Sequence, residues 1–392
     1  MTNTMTDFYH LYFLQTNLIC IIINALIIFD SFLKTRRDEI DEGYIRLAGW
    51  INIVYCISDI LASHFRGHGG VGVRYVLYVV NIIYVSTPLF YAVIFAAYSH
   101  YKLQYKDFIK TVKGKIFLAP LALCFILMIT TPLTNFGFTI DENNIYQRSF
   151  GAYIIPIVCW IYFITTTVTV IIRIIKTGNY VERENLKPLA YFMIFPLITN
   201  ILQISFYGIT ISQTGFTLAT MLILVSRLRN QILNDELTKL RNRRDFNIYV
   251  NNIIRSSSEN EIYVCMIDIN KFKKINDRFG HLEGDFVLKK IGSVIKETCM
   301  EIDRDIFVCR YGGDEFVVAN RNNSLQEIEK VKKSIKENLK KESLKENKDY
   351  DLVVSIGSSF CNLKNYDDYA NLMEDADKNM YLDKNQSEKN GI

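Results

Sequence analysis

Two kinds of hydrophobic pattern divide the chain near residue 225. Before that point, long apolar runs alternate with short polar loops; after it, short apolar runs alternate with stretches rich in Lys, Asp, Glu and Asn. A helix that crosses a bilayer needs about 20 mostly apolar residues. Seven runs predict seven spans: Leu11–Leu33, Leu47–Ser63, Tyr75–Ser99, Ile116–Leu133, Ala152–Ile175, Pro188–Tyr207 and Ile209–Ser226. Only a turn at Gly208 separates the last two.

The loops between these spans differ in their content of Lys and Arg. The first, third and fifth loops are basic, whereas the N-terminus and the sixth loop carry neither residue. Cytoplasmic loops carry the excess of basic residues in membrane proteins. We therefore expect a multi-pass protein of the inner (cytoplasmic) membrane, with the lipid bilayer as a partner, its N-terminus outside and its C-terminal half in the cytoplasm. An odd number of spans is required for that arrangement.

Three polar residues of this half leave alternatives open. Asp59 lies within the second span, where an acid is costly and is often functional. It either forms a hydrogen bond inside the bundle near the outer end of the span, or binds a ligand or a proton. His64 and His68 lie in or beside the following loop and allow an external anion or metal, or are simply polar. We expect an unknown external or membrane ligand.

The spacing of apolar residues predicts a helical segment that connects the two halves. Apolar residues recur at a spacing of three and four, the seam of a short coiled coil: Leu218, Met221, Val225, Leu228 and Ile232. No Gly or Pro interrupts Leu218–Phe246, so a continuous helix is expected. The predicted domains are a seven-span region at 1–226, a helical connector at 227–236 and a soluble domain at 237–392.

Composition adds little to this division. The 392 residues are 49% hydrophobic with a net charge of +4, and we expect no nucleic-acid partner. The eight cysteines form no CxxC pair. We interpret them as reduced structural thiols, which allows exposure of the soluble half to the cytosol.

The stretch "CRYGGDEFVV" predicts a β-hairpin with acids at its tip. Apolar strands flank the turn, and Gly312 and Gly313 are expected to supply the positive φ angles of a tight turn. One interpretation is a turn with solvated acids. The other is that Asp314 and Glu315 hold a metal ion and phosphate beside unobstructed backbone.

A second stretch, "IYVCMIDINKFKKINDRFGHLEGDFVLKKIG", favours the metal interpretation. Its first part predicts a buried strand that ends at Asp268, followed by a polar turn and two helices. Asp268 and Asp314 fit adjacent antiparallel strands. Two carboxylates placed in this way are suited to divalent ions that also contact a triphosphate, because Mg²⁺ prefers a few carboxylates and phosphate oxygens.

At this point Asn234–Lys384 resembles the GGDEF-family diguanylate cyclases. The motifs that carry the resemblance occur in order: "DELTKLRNRR", "DINKFKKINDRFGHLEGD", "RYGGDEF", "SIG" and "ADKNMYLDK". The resemblance implies an α+β fold like that of nucleotidyl cyclases, with a central antiparallel sheet flanked by helices. The complete chain would then join this domain to an α-helical transmembrane bundle.

The resemblance also implies roles for individual residues. Two Mg²⁺ ions per active site (Mn²⁺ is possible) would be bound by Asp268, Asp314 and the Ile269 carbonyl, with Glu315 as a further ligand or a base. The remaining implied contacts are to GTP: Asn276 and Asp285 to the guanine edge, the amides of Lys271 and Phe272 with Lys273 and Lys384 to the phosphates, and Gly312 and Gly313 as close neighbours of the nucleotide. For Arg310, Asp277 and His281 we favour structural hydrogen bonding.

The implied activity condenses two GTP into cyclic di-GMP and two pyrophosphates in a homodimer, whose geometry the seven-span region would control. Three departures from the family pattern stand out. The window Asp303–Ile306 lacks the feedback motif, so product inhibition there is not expected; Asn270 replaces an acid; and Glu388 replaces a basic residue. The alternatives are an inert GTP- or cyclic-dinucleotide-binding membrane receptor and a seven-span transporter with an accessory domain.

Overall fold

The computed structural model describes residues 2–33, 39–105, 108–206, 210–256, 261–321 and 325–389. The chain forms two compact units. The first, the helical unit, comprises Met1–Lys176 and Asn185–Arg227, and the second, the C-terminal unit, comprises Thr177–Glu184 and Leu228–Ile392. The division after Arg227 lies one residue from the domain boundary that the sequence predicts. The assignment of Thr177–Glu184 to the C-terminal unit was not predicted.

Helices dominate the helical unit. They are α1 (Thr2–Leu33), α2 (Glu39–Phe65), α3 (Val71–Lys102), α4 (Val112–Ile129), α5 (Thr131–Thr134), α6 (Gly151–Lys176), α7 (Tyr180–Tyr191), α8 (Ile194–Ser205) and α9 (Ser212–Ile232), with a short 3₁₀ turn at Phe108–Lys110. Six segments of the described chain are long and apolar enough to cross a membrane: Tyr12–Leu33, Ile40–Phe65, Val71–Lys102, Val112–Ile129, Gly151–Lys176 and Tyr180–Gln203. They overlap the first six predicted spans, so this half is a multi-pass membrane region.

The seventh predicted span overlaps α9, which is not among those six segments. Its first half carries buried polar side chains that contact α1 and α2. The Asn24 and Asn52 side-chain amides both donate to the Thr217 hydroxyl, and the Cys20 thiol lies 3.6 Å from the Thr214 hydroxyl. The structure therefore does not confirm the count of seven, which stays a prediction. Gly208, the predicted turn before this helix, lies outside the described residues.

The polar residues of the second span are now placed. Asp59 is buried, and its Oδ2 accepts hydrogen bonds from Asn17 Nδ2 at 2.8 Å and from Thr210 Oγ1 at 2.9 Å. These bonds match the interpretation of Asp59 as internally bonded; a ligand or proton role stays a prediction. His64 and His68 stack at 5.6 Å between ring centroids, and no group of three metal-ligating side chains occurs in the described residues.

A small two-stranded sheet connects α5 and α6. It pairs β1 (Phe138–Ile140) with β2 (Tyr146–Arg148) in antiparallel register. Arg74 of α3 donates from Nη2 to the Asp141 carbonyl at 3.2 Å and from Nε to Asn144 Oδ1 at 3.3 Å. These bonds tie the turn of the sheet to the start of α3.

The connector is helical over only part of its predicted length. The helix α9 ends at Ile232, and a compact turn follows up to Arg241. The turn is stabilised by Asp235, whose Oδ1 accepts from the Thr238 amide at 2.8 Å and from the Thr238 hydroxyl at 2.7 Å. The expectation of an unbroken helix to Phe246 is therefore wrong, because an Asx-type turn replaces the helical hydrogen bonds here without any Gly or Pro.

The C-terminal unit is built on a five-stranded sheet. Its strands are β3 (Arg241–Asn242), β4 (Glu261–Ile269), β5 (Phe307–Arg310), β6 (Glu315–Arg321) and β7 (Val354–Asn362), arranged in the order β3-β5-β6-β4-β7. All neighbours are antiparallel except the short parallel pair β3–β5. Its helices are α10 (Arg243–Ile254), α11 (Phe272–Phe279), α12 (His281–Ile302), α13 (Leu325–Glu346) and α14 (Tyr366–Lys389).

Hydrophobic clusters cover both faces of this sheet. One face packs on α11, α12 and α13, and the other packs on α10 and α14. Accordingly, every residue of β4 after Glu261 is buried, which explains its continuous apolar sequence. The predicted sheet flanked by helices is confirmed.

Candidate active site

The register of two central strands brings the predicted acids together. Asp268 on β4 lies directly opposite Glu315 on β6. Asp314 immediately precedes β6, and its carbonyl accepts from the Ile269 amide at 3.4 Å. Three of the expected metal ligands, with Ile269 as the last residue of β4, therefore meet at one edge of the sheet.

The hairpin that carries Asp314 is closed by its own backbone and by one arginine. The amides of Tyr311 and Gly312 both donate to the Glu315 carbonyl, at 2.8 and 3.3 Å. Arg310 donates from Nε and Nη2 to the Gly313 carbonyl at 3.0 and 2.6 Å. It also pairs with Asp235 at 3.2 Å. The structural role that we favoured for Arg310 is confirmed.

The hairpin glycines differ from the expectation in one respect. Among the described glycines, only Gly67, Gly70 and Gly280 have positive φ angles. The prediction for Gly312 and Gly313 is wrong because three residues, not two, connect Tyr311 to Glu315, and the arginine side chain shapes the turn. A Cβ at Gly312 would lie 2.7 Å from Glu315 Oε2, whereas a Cβ at Gly313 would meet open space. Gly312 thus leaves room for the glutamate, and the Gly313 backbone is accessible.

Charge in this site is strongly unbalanced. Lys384 of α14 donates to Asp268 Oδ1 at 2.6 Å. Burial raises the pKa of the Asp268 carboxyl; Lys384 lowers it, but Asp314 contributes a further increase, and the net shift is upward. The pKa of Glu315 is also raised, first by burial and then by the neighbouring Asp314 and Asp268 carboxylates. The site therefore favours binding of additional positive charge.

Sequence reasoning missed a fourth acid. Asp377 of α14 lies close enough to raise the pKa of both Asp268 and Glu315. It occurs in the segment "ADKNMYLDK", which already supplied Lys384, and lies seven residues before that lysine. Because residues seven apart lie on the same face of a helix, the position of Lys384 was the signal that could have identified Asp377.

The turn after β4 presents backbone N–H groups near the acids. Lys271 has a left-handed conformation (φ 59°) and immediately precedes α11, which begins at Phe272. Its carbonyl accepts from the Lys274 and Ile275 amides at 2.9 and 3.2 Å. The first amides of a helix lack intrahelical acceptors and suit phosphate oxygens. Lys271 and Lys273 are both exposed here, as their expected contacts require.

The expected guanine-reading residues lie on the next two helices. Asn276 is in α11 and Asp285 is in α12, and both are half-buried. Gly284 lies between them: a Cβ there would be 1.9 Å from Asn276 Oδ1. The absence of a side chain at Gly284 therefore determines where the Asn276 amide can lie.

The departures from the family pattern fall in different places. Asn270 is buried, and its Oδ1 accepts from the Ser355 hydroxyl at 2.7 Å, so it bonds to β7. Asp277 and His281 are exposed, and their structural role stays a prediction. The side chain of Glu388 lies outside the described part of the chain.

The donor set fits Mg²⁺ that binds together with substrate. In the described residues no three His, Cys, Asp or Glu side chains converge into a metal cage. Mg²⁺ usually binds through one or two carboxylates, several waters and substrate phosphates, so a preformed cage is not needed. The oxygen-only ligands, and the ammonium of Lys384 already on Asp268, are consistent with a site that binds cations.

Comparisons with known proteins agree with this geometry. Residues 232–390 match the family described as "Diguanylate cyclase, GGDEF domain". The diguanylate cyclase DosC of Escherichia coli strain K12 is 32% identical over 158 residues, which are 40% of this chain and 34% of that protein. An uncharacterized membrane protein of Staphylococcus haemolyticus is 30% identical over 167 residues, which are 42% of this chain and 46% of that protein. The chain thus spans about a third to a half of the length of these curated relatives.

Among solved structures, the coiled coil and GGDEF domain of DgcB from Caulobacter crescentus, in complex with c-di-GMP, is 23% identical with a TM-score of 0.40. The match covers 46% of this chain and 93% of that one.

Proposed function

We propose that this chain is a membrane-bound diguanylate cyclase that converts two GTP into cyclic di-GMP and two pyrophosphates. The match of residues 232–390 to the GGDEF diguanylate cyclase family supports this proposal. The observation that carries the proposal is the pairing of Asp268 opposite Glu315, with Asp314 adjacent and Lys384 on Asp268. This acidic edge lies beside the first turn of α11, where amides suited to phosphate begin.

In this proposal each domain binds one GTP, and two chains provide two domains face to face. The 3′-hydroxyl of each GTP attacks the α-phosphate of the other; pyrophosphate leaves from each α-phosphate, and the two new bonds close the ring. Asp268, Asp314, the Ile269 carbonyl and Glu315 would hold Mg²⁺, which supplies charge neutralisation for the phosphates. Such reactions depend mainly on positioning and on charge neutralisation.

The chain's own residues orient the nucleotide. The Lys271 and Phe272 amides, with Lys273 and Lys384, would bind the phosphates, and the open backbone of Gly313 allows close approach. Asn276 and Asp285 would contact the guanine edge. A carboxylate there accepts from the ring N–H and the exocyclic amino group, which adenine does not offer together. We therefore propose selectivity for GTP over ATP.

The proposal also covers location and control. The distribution of Lys and Arg favours a chain in the inner membrane with its N-terminus outside and its cyclase domain in the cytoplasm. The helical unit would sense a ligand and change how two cyclase domains pair. The homodimer is part of the proposal because one domain binds only one of the two GTP molecules.

Turnover by the full-length chain in lipid nanodiscs tests this function. With GTP and Mg²⁺ we expect cyclic di-GMP, identified by chromatography and mass spectrometry. For Asp314→Asn we expect the rate of its formation to fall by at least about 100-fold. Asp367→Asn changes an exposed acid in the first turn of α14 and serves as the matched control. Binding of GTP without any product would favour the inert receptor instead.

A further inference from the structure

The segment Thr177–Glu184 has an unusual position in the chain. It lies between the end of α6 and the body of α7, and the residues on both sides, Lys176 and Asn185, belong to the helical unit. By its contacts, however, the segment belongs to the C-terminal unit. We call Thr177–Glu184 the inserted segment.

An aromatic side chain anchors the inserted segment in the sheet domain. Tyr180 is 8% exposed and is part of the hydrophobic cluster between the sheet and α10. Its ring centroid lies 5.1 Å from that of Tyr249 in α10 and 5.9 Å from that of Phe307 in β5. Val181 packs against the same cluster. The domain core is therefore completed by a residue that is distant in sequence.

Two residues before this tyrosine fit the loop that leads into β5. Gly178 lies directly against the Asp305 carboxylate, so a side chain at this position would meet that carboxylate. Asn179 donates from Nδ2 to the Arg304 carbonyl, and its Oδ1 accepts from the Glu182 amide at 2.8 Å. Asn179 thus both caps the first turn of α7 and binds the loop.

The contact surface is remote from the acids. It covers the loop before β5, whereas the hairpin with Asp314 follows the other end of that strand. The four residues of β5, Phe307–Arg310, separate the two ends by about 13 Å. The inserted segment therefore leaves the substrate site open, and its effect is on how freely the domain can move.

We infer that the inserted segment is an internal clasp that restrains the cyclase domain, and that its release raises cyclase activity. The inference rests on the proposed function, in which two domains must turn face to face. A domain bound to its own chain at the inserted segment, as well as through α9, has fewer orientations available for pairing.

A pair of substitutions tests the clasp without altering the substrate site. Gly178→Asp places a second carboxylate against that of Asp305, so like-charge repulsion and bulk should displace the segment. Asp305→Ala removes the repelling carboxylate, so the double variant should dock again. In full-length protein in nanodiscs, we expect Gly178→Asp to raise the cyclic di-GMP rate about fivefold or more, the lower end of usual allosteric coupling, and the double variant to restore the wild-type rate.

Amide hydrogen exchange of peptides covering residues 177–184 provides a readout that needs no activity. We expect faster exchange in Gly178→Asp and wild-type exchange in the double variant. Unchanged exchange in Gly178→Asp would overturn the docked contact. Faster exchange of residues 177–184 with an unchanged or lower rate of cyclic di-GMP formation would overturn the regulatory role and leave the proposed function intact. Faster exchange with no product from wild type or any variant would overturn the proposed function and the clasp together.

Discussion

The ion pair between Lys384 and Asp268 allows the charge balance of the site to be tested directly. The two atoms lie 2.6 Å apart, with side-chain exposures of 32% for the lysine and 12% for the aspartate. Lys384→Met keeps the length and apolar stem of the side chain but removes the ammonium. Asp268 is then left close to Asp314 and Glu315 without its cation.

The size of the effect follows from the burial of the pair. Removing one partner of a fully buried ion pair costs about 3–5 kcal/mol. Because Lys384 is about one-third exposed, we reduce this and expect a loss of about 1–2 kcal/mol in the free energy of unfolding of the C-terminal unit without Mg²⁺. Millimolar Mg²⁺ should recover part of the loss, since a cation that binds only the folded domain stabilises it.

Native-state amide exchange of peptides from β4 measures this free energy, because β4 lies in the core of the domain. Lys378→Met is the matched control: it lies on the same helix and pairs with Glu374 at 2.7 Å, but both side chains are more than 60% exposed. We expect the control to change the free energy by about 0.5 kcal/mol or less. Equal losses in the two variants, or a Lys384→Met loss that Mg²⁺ does not change, would refute the argument.

Three further predictions concern other parts of the chain. In Gly284→Ala the new Cβ would lie 1.9 Å from Asn276 Oδ1, so the Asn276 amide should move. We expect the KM for GTP to rise about fivefold to tenfold, as for one lost hydrogen bond, with little change in kcat; steady-state kinetics measure both. Glu42→Gln removes a buried carboxylate that pairs with the half-buried Arg227, so the helical unit should lose about 3 kcal/mol and melt at a lower temperature, and an unchanged melting temperature would contradict this. Burial opposes ionisation of Asp235, but hydrogen bonds from its turn and a nearby arginine lower its pKa overall. The stability that ionised Asp235 gives the folded C-terminal unit is therefore present above the ordinary pKa of about 4 and is lost as the pH falls through the lower folded value. Asp235→Asn should therefore make the C-terminal unit less stable than wild type at pH 7, and the two stabilities should become equal in acid.

The acidic edge was well predicted because the strand and the hairpin that form it depend on residues close together in the sequence. The buried strand ending at Asp268 follows from continuous apolar residues, and the hairpin follows from a turn between two such runs. Antiparallel pairing of these strands then places Glu315 opposite Asp268. The glycine conformations were mispredicted because a side chain from outside the turn, Arg310, forms the bonds that shape it.

Long apolar runs also allowed the membrane helices to be predicted where the helix surface is mostly apolar. Hydropathy leaves α9 undecided: an apolar run predicts a span there, but the helix also carries Thr217 and other buried polar residues, which form hydrogen bonds with polar side chains of α1 and α2. A sequence window assigns such residues the cost of contact with hydrocarbon. Inside a helical bundle, that cost is offset by their partners.

The inserted segment shows what sequence periodicity leaves out. Its capping residue, Asn179, was recognisable, because Asn before a helical run is a common N-cap. The basic residues around it indicate only a cytoplasmic loop, and nothing local distinguishes Tyr180 from other aromatic residues near a membrane surface. Its partners Tyr249 and Phe307 are 69 and 127 residues away (249 − 180 and 307 − 180). Such a contact depends on packing between residues that are distant in sequence, which no local motif records. The variants at Gly178 and Asp305 therefore test a part of the molecule that the family motifs do not cover.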